Sequence, residues 1–208
     1  MSRLLLVRHG ETELKSSQRL WGHTDVKLSA VGVKQAERLR DRLAIEKIDT
    51  IYSSDLQRAL ATARIIASGH QLDVTICAEL REINFGKLEG LNFEEISQLF
   101  PEFTAKWRVQ RNTDIEFPGG ESLDQLHNRV GNFVCRLQKG KTEETVLVVA
   151  HAGVLRSLIC QLMEIELRYI YRIRLDLASL SIVETYPEGA IVSLLNDVSH
   201  LREDVLGD

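Results

Sequence analysis

Two histidines in this chain stand directly after short apolar runs. Leu4 to Val7 leads into Arg8-His9-Gly10-Glu11-Thr12, and Val146 to Val149 leads into Ala150-His151-Ala152-Gly153. Apolar runs of this length that stop at polar residues read as strands buried on both faces, so each histidine falls where a strand ends. Ligands of open α/β sheets bind at the carboxyl ends of the strands. Two further charged groups occupy equivalent places: Arg58 in the first turn of the helix after the second strand, and Arg81-Glu82 after the third. An arginine presents a planar fork of donors that suits a tetrahedral oxyanion, and helix N-termini after Ser54 and Ala152 add backbone N–H groups. A neutral imidazole beside them could attack phosphorus. A nearby carboxylic acid could protonate the departing alkoxide and later, as a carboxylate, deprotonate water. The set points to phosphoryl chemistry.

The elements that must hold these residues alternate along the chain. Ser29 is the predicted cap of a helix with Val33, Ala36, Leu39 and Leu43 at its apolar positions, and Thr50 to Ser53 is the second strand. Ser54 or Asp55 caps the next helix, whose inward face is Leu56, Ala59, Leu60, Ala63, Ile66 and Ala67, with Arg58 off that face and Gly69 as the stop. Val74 to Cys77 reads as a third strand. The stretch from about Phe85 to Gly120 is less regular. Helical patterns at Phe93 to Phe100 and Phe103 to Gln110 are separated by Pro101 and closed by Pro118-Gly119-Gly120, as in a lid or cap. From Ser122 a helix carries Leu123, Leu126, Val130, Phe133, Val134 and Leu137 inward as far as Gly140. Leu180 to Glu184 and Ala190 to Leu195 flank Tyr186-Pro187-Glu188-Gly189 as an edge hairpin, and the residues after Asn196 read as a loosely held tail. This order predicts an α/β protein: a three-layer α/β/α sandwich with a mostly parallel sheet and an antiparallel edge. A single domain over residues 1–208, with a short cap at about 85–120, accounts for the length.

Composition narrows the partners. Of 208 residues 44% are hydrophobic and 27% charged, which suits one sizeable core and excludes disorder. A net charge of −4 offers no general attraction to nucleic acid or anionic lipid, so any bound anion must be held by a local cluster. Cys77, Cys135 and Cys160 are odd in number and form no Cys-x-x-Cys pair, which argues for reduced thiols. The longest apolar runs fall far short of the roughly 20 residues of a membrane helix. The expectation is a soluble cytoplasmic protein without nucleic-acid or membrane partners, with a homodimer left open.

The same residues admit other readings. His9, Glu11, His23, Asp25 and His151 could hold a metal, but no ligand spacing appears and two arginines would repel a cation, so no metal and no cofactor is expected. Glu82 could be a surface partner of Arg81, with Glu89, Glu94 and Glu121 as rival acids and Glu121 assigned to the helix start with Ser122. His70, His127 and His200 read as solvated or capping side chains, whereas His23 lies close enough to the motif to touch a substrate. Trp21, Trp107 and Phe103 could line a pocket or fill the core.

Leu-Val-Arg-His-Gly-Glu-Thr at 6–12, Ser-Ser-Asp-Leu-Gln-Arg-Ala at 53–59, Leu-Arg-Glu-Ile-Asn-Phe-Gly at 80–86, Pro-Gly-Gly-Glu-Ser-Leu at 118–123 and Ala-His-Ala-Gly at 150–153 together resemble the histidine phosphatase family, also called phosphoglycerate mutase-like. The resemblance runs in order over about residues 3–160. It implies a phosphoglycerate mutase-like fold, His9 as nucleophile, Glu82 as proton donor and acceptor, and Arg8, Arg58 and His151 as the phosphate pocket. It also implies substrate contacts from Glu11, Thr12, Lys15, Trp21 and Gly22. The chain departs from many relatives at Leu14-Lys15, where they carry Trp-Asn, so a cation replaces an amide commonly aimed at the phosphoryl group. Gly22-His23-Thr24-Asp25, Leu28-Ser29 and Leu88-Glu89-Gly90 look most like the α-ribazole phosphatases of cobalamin synthesis. The function implied is a metal-independent phosphomonoesterase acting through a phosphohistidine on a small phosphorylated metabolite, with α-ribazole 5′-phosphate as the candidate. A cofactor-dependent phosphoglycerate mutase is the alternative, disfavoured by the short span from Glu82 to Gly119. A non-catalytic phosphate-binding protein would need neither His9 nor Glu82.

Overall fold

Leu4 to Val7 shows no alternation of apolar and polar residues because it lies in the middle of a sheet covered on both sides. A computed structural model describes residues 2–14, 19–110, 113–138 and 143–202. Its strands are β1 (Ser2–Arg8), β2 (Thr50–Ser53), β3 (Val74–Ile76), β4 (Thr145–Ala150), β5 (Leu180–Tyr186) and β6 (Gly189–Asp197), in the order β3-β2-β4-β1-β5-β6. The first four are parallel; β5 runs antiparallel to β1, and β6 to β5. The mixed sheet with its antiparallel edge matches the sequence expectation.

Leu5 and Val7 of β1 with Leu147 and Val149 of β4 face α1 (Ala30–Leu43) and α2 (Gln57–Ser68), packing with Leu39, Leu43, Ala63 and Ile66. The alternate residues Leu4, Leu6, Val146 and Val148 face the other way, into a cluster with Phe133 of α5 (Leu123–Gln138) and Leu155 of α6 (Ala152–Leu162). Between β3 and α5 lie α3 (Phe93–Leu99) and α4 (Pro101–Gln110). Pro101 opens α4, where its missing N–H is harmless and its fixed φ suits the first turn, and so does more than separate two patterns.

Several local expectations are corrected. Ser29 caps α1 by accepting from Gly32 N at 3.0 Å, as predicted, but Val33 is exposed and the inward position is Gly32. The reason is contact with the loop after β1: a Cβ on Gly32 would lie 2.0 Å from the Glu11 carbonyl oxygen. Only hydrogen fits there. The N-cap of α2 is Leu56, without a side-chain bond, while Ser54 Oγ accepts from Leu56 N one step earlier. Arg58 belongs to the buried face of α2 with Ala59, Thr62 and Ala63. β3 stops at Ile76, one residue short of the prediction. The chain after Asn196 is no loose tail as far as Arg202, since Arg38 Nη1 donates to Leu201 O at 2.8 Å and His200 Nε2 to Ala178 O at 3.0 Å. Among the described residues no helix is long and apolar enough to cross a membrane.

Gly32→Ala is expected to lose about 1–3 kcal/mol of stability through overpacking against backbone, whereas Val33→Ala on the exposed side should stay within about 0.5 kcal/mol. Urea denaturation of the two variants checks this, and equal losses would contradict the docking described.

Candidate active site

The register of the parallel strands builds the site. Arg8 pairs with Ala150 and Ser53 with Val149, so the next residues of β1, β4 and β2 come side by side. His9 N donates to Ala150 O at 3.1 Å and Ser54 N to Val149 O at 3.2 Å. The His9 and His151 rings lie 5.1 Å apart between centroids.

His9 Nδ1 is 2.8 Å from the Gly10 carbonyl. A carbonyl only accepts, so Nδ1 carries the proton and Nε2 keeps a free lone pair. Burial, followed by the charges of Arg8 and Arg58, holds His9 well below the usual histidine range, and the ring is neutral. His151 is fully buried and is also pushed well below that range, first by burial and then by Arg58. Arg58 Nε donates to His151 Nδ1 at 3.2 Å, which leaves the proton on Nε2 to donate to Ser54 Oγ at 3.0 Å.

Arg58 is buried and Arg8 half-buried, and among the described residues neither has a carboxylate in direct contact. Arg58 donates through Nη1 to Thr24 O at 2.8 Å and through Nη2 to Gly22 O at 2.7 Å. Arg8 Nη1 donates to Leu175 O at 2.7 Å, while its buried Nε has no protein partner among the described residues. Burial lowers both guanidinium pKa values, against the raising influence of Glu82. Carbonyl oxygens thus solvate these cations and leave their net charge for an anion.

The carboxylate of Glu82 reaches this cluster from the loop after β3 and rests on the start of α6. Gly153 N lies 3.1 and 3.2 Å from its two carboxylate oxygens, and Ile83 N donates to Oε1 at 2.9 Å. A Cβ on Gly153 would fall 2.4 Å from Glu82 Oε1, so glycine is what admits the carboxylate.

These groups open into a cavity of about 440 Å³. Its polar part is Arg8, His9, Glu11, Thr12, Arg58, Glu82 and Arg19, and its apolar wall is Leu20, Trp21, Val26, Phe85 and Leu177 together with Gly22. Of the residues predicted for the site, His151 does not line the cavity but lies against His9. Lys15 falls outside the described residues. Glu11 faces the cavity with its carboxylate already accepting from Ser29 Oγ at 2.9 Å, and Gly22 contributes its carbonyl to Arg58. Thr12 is buried, with its hydroxyl donated to Leu14 O at 3.2 Å. Trp21 keeps a buried indole N–H without a partner among the described residues.

His23 is turned away from the substrate role considered for it: Nε2 donates to Glu82 O at 2.8 Å. Two rival acids are occupied elsewhere. Glu89 accepts from His23 N and Thr24 N, both at 2.8 Å, and Glu121 pairs with Arg129 at 2.6 Å. The helix start assigned to Glu121 belongs to Ser122 and Gln125, which exchange backbone and side-chain bonds. Glu94 is exposed on α3. Sequence reading missed Arg19, Leu20, Val26, Phe85 and Leu177 as lining residues. Phe85, three residues after Glu82, was the one with a positional signal. Among the described residues no group of three or more His, Cys, Asp or Glu could hold a metal ion.

Residues 4–198 match the family profile described as "Histidine phosphatase superfamily (branch 1)". The chain is 36% identical to "Phosphoserine phosphatase 1" of Hydrogenobacter thermophilus over 98% of its length and 96% of that protein. It is 32% identical to "Adenosylcobalamin/alpha-ribazole phosphatase" of Escherichia coli, covering 93% and 95% of the two chains. A solved structure of a mutant phosphoserine phosphatase from Entamoeba histolytica in complex with phosphoserine superposes with a TM-score of 0.86 at 27% identity, covering 97% of this chain and 100% of that one.

Neutral buried histidines couple stability to acid. In the unfolded chain they titrate near 6.5, so below that pH the unfolded state binds more protons and stability falls as pH drops. Urea unfolding between pH 7 and pH 5 should show this fall, each histidine adding a slope of up to about 1.4 kcal/mol per pH unit. His151→Gln should flatten the slope; an unchanged slope would show that His151 is not held neutral.

Proposed function

Because the chain belongs to the histidine phosphatase superfamily and is a phosphatase of that kind, we propose that it is a metal-independent phosphomonoesterase that works through a phosphohistidine at His9. The observation that carries this reading is the His9 Nδ1 bond to Gly10 O, which fixes an unprotonated Nε2 beside the guanidinium groups of Arg8 and Arg58.

In the first step the Nε2 lone pair forms a bond to phosphorus while the bond to the substrate oxygen breaks, and Glu82 gives its proton to the departing alkoxide. Arg8 and Arg58 meet the charge that develops on the non-bridging oxygens, in a site where reorganisation has already been made by folding. His151 accepts from Arg58 Nε through Nδ1 and lies against the His9 ring, holding both groups in place from behind the cavity. In the second step Glu82, now a carboxylate, takes a proton from water as the water oxygen attacks phosphorus. The P–N bond breaks, phosphate leaves, and both side chains return to their starting forms. The segment 85–120, with α3 and α4, would serve as a short cap within a single domain.

The alcohol side of the substrate meets an apolar wall. Leu20, Trp21, Val26, Phe85 and Leu177 line it, and the two other charged groups in the lining are engaged, Glu11 with Ser29 and Arg19 with Glu95. This supports an alcohol with a flat apolar face, such as that of α-ribazole 5′-phosphate, a substrate of cobalamin synthesis. Phosphoserine is the second reading, favoured by the 36% identity to a protein of that name. Among the described residues this wall offers the ammonium and carboxylate groups of phosphoserine no charged partner that is not already engaged.

Hydrolysis of p-nitrophenyl phosphate in excess EDTA should proceed at the rate seen without chelator, and His9→Ala should lower it by at least about 1,000-fold. Loss of activity to EDTA, or retention in His9→Ala, would overturn the mechanism. Comparing kcat/KM for α-ribazole 5′-phosphate, phosphoserine and 3-phosphoglycerate decides the substrate.

A further inference from the structure

Glu82 sits on backbone that has little regular structure of its own. After a short 3-10 turn at Ala78–Leu80, the chain runs through Arg81 to Asn84 with no strand or helix to support it. Yet the acid proposed above must be held to within a fraction of an ångström, because proton transfer is sensitive to small misplacements.

The support comes from α5. Arg129 Nη1 donates to Glu79 O at 2.7 Å and to Arg81 O at 2.8 Å. Its Nη2 donates to Glu82 O at 3.2 Å and to Glu121 Oε1 at 2.6 Å, and its Nε to Glu121 Oε2 at 3.3 Å. These account for all five N–H donors of a guanidinium. Glu121 extends the clamp past Glu82: its Oε1 accepts from Asn84 N at 2.9 Å, and its own N–H donates to Asn84 O at 2.9 Å. One guanidinium therefore gathers the carbonyls of residues 79, 81 and 82, and its carboxylate partner holds residue 84. His23 adds a second donor to Glu82 O. Arg129 does not line the cavity.

We propose that Arg129, braced by Glu121, is the positioning residue for the general acid: it fixes the backbone of Glu82 so that the carboxyl meets both Gly153 N and the leaving-group oxygen. This rests on the reading of Glu82 as proton donor. The geometry demands arginine, because lysine is a point charge that cannot reach three carbonyls and a carboxylate from fixed, divergent directions.

The test uses leaving groups that differ in their need for a proton. Single-turnover phosphorylation is followed by rapid quench with an alkyl phosphate and with p-nitrophenyl phosphate, whose phenolate departs without protonation. Arg129→Lys should slow phosphorylation by the alkyl ester by about 10- to 100-fold and leave that by p-nitrophenyl phosphate nearly unchanged. Glu121→Gln, which keeps the shape and loses the charge, should show the same selectivity to a smaller degree. A purely structural role would reduce both substrates in proportion to the folded fraction, measured in parallel by circular dichroism, and would overturn the proposal. Glu82→Gln is the reference. If it is selective for the alkyl ester and Arg129→Lys is not, the positioning role falls while the acid role stands; if Glu82→Gln is unselective, both fall.

Discussion

Everything in the site depends on the parallel pairing of β1 with β4. With Arg8 opposite Ala150, the residues that follow are two histidines in contact, and the neighbouring pairing of β2 with β4 brings Ser54 and the start of α2 to the same edge. A slip of one residue would send Leu4 to Val7 to the wrong faces of the sheet and point His9 into the opposite layer. Register is therefore held by the two cores at once, since alternate residues of both strands are packed against α1 and α2 on one side and α5 and α6 on the other.

That edge concentrates positive charge in a chain whose net charge is −4. Taking two guanidinium groups out of water, Arg58 fully and Arg8 in part, costs desolvation, and pairing each with a carboxylate would be the usual remedy. Here loop carbonyls take that role: Gly22 and Thr24 for Arg58, Leu175 for Arg8. Carbonyl dipoles satisfy the donors without cancelling the charge. Burial first, and the same cations after it, keep His9 and His151 neutral, so in the proposed mechanism one arrangement both attracts the anion and preserves the lone pair that attacks it.

The parts legible in the sequence were those in which a single element decides the outcome. Continuous apolar runs ending at Arg8-His9 and Ala150-His151 marked buried strands and the residues at their ends, and the edge hairpin followed from its turn residues. Burial of Arg58 carries no apolar signal, because the apolar stripe of α2 does not mark where carbonyls from another loop await a charge. Gly32 is silent for a related reason: hydrophobicity cannot signal a position where absence of a side chain permits contact. Leu177 and Arg129 carry no local signal at all, since their importance arises from backbone brought near them by the fold.

The cavity is built from two kinds of support. Its phosphate floor rests on strand ends and helix starts, where the sheet register leaves little freedom. Its alcohol wall comes from loops at 19–26, 85 and 177, the first of them held to residues 89–95 by contacts such as Arg19 with Glu95 and Glu89 with the backbone of His23 and Thr24. Loop residues can change size and polarity without disturbing the register beneath them. The floor can thus keep one chemistry while the wall selects among esters. That division accounts for a chain with near full-length likeness to proteins named for phosphoserine and for α-ribazole phosphate alike. On the proposed reading, substrate choice then lies with Leu20, Trp21, Val26, Phe85 and Leu177 rather than with the histidines and arginines of the floor.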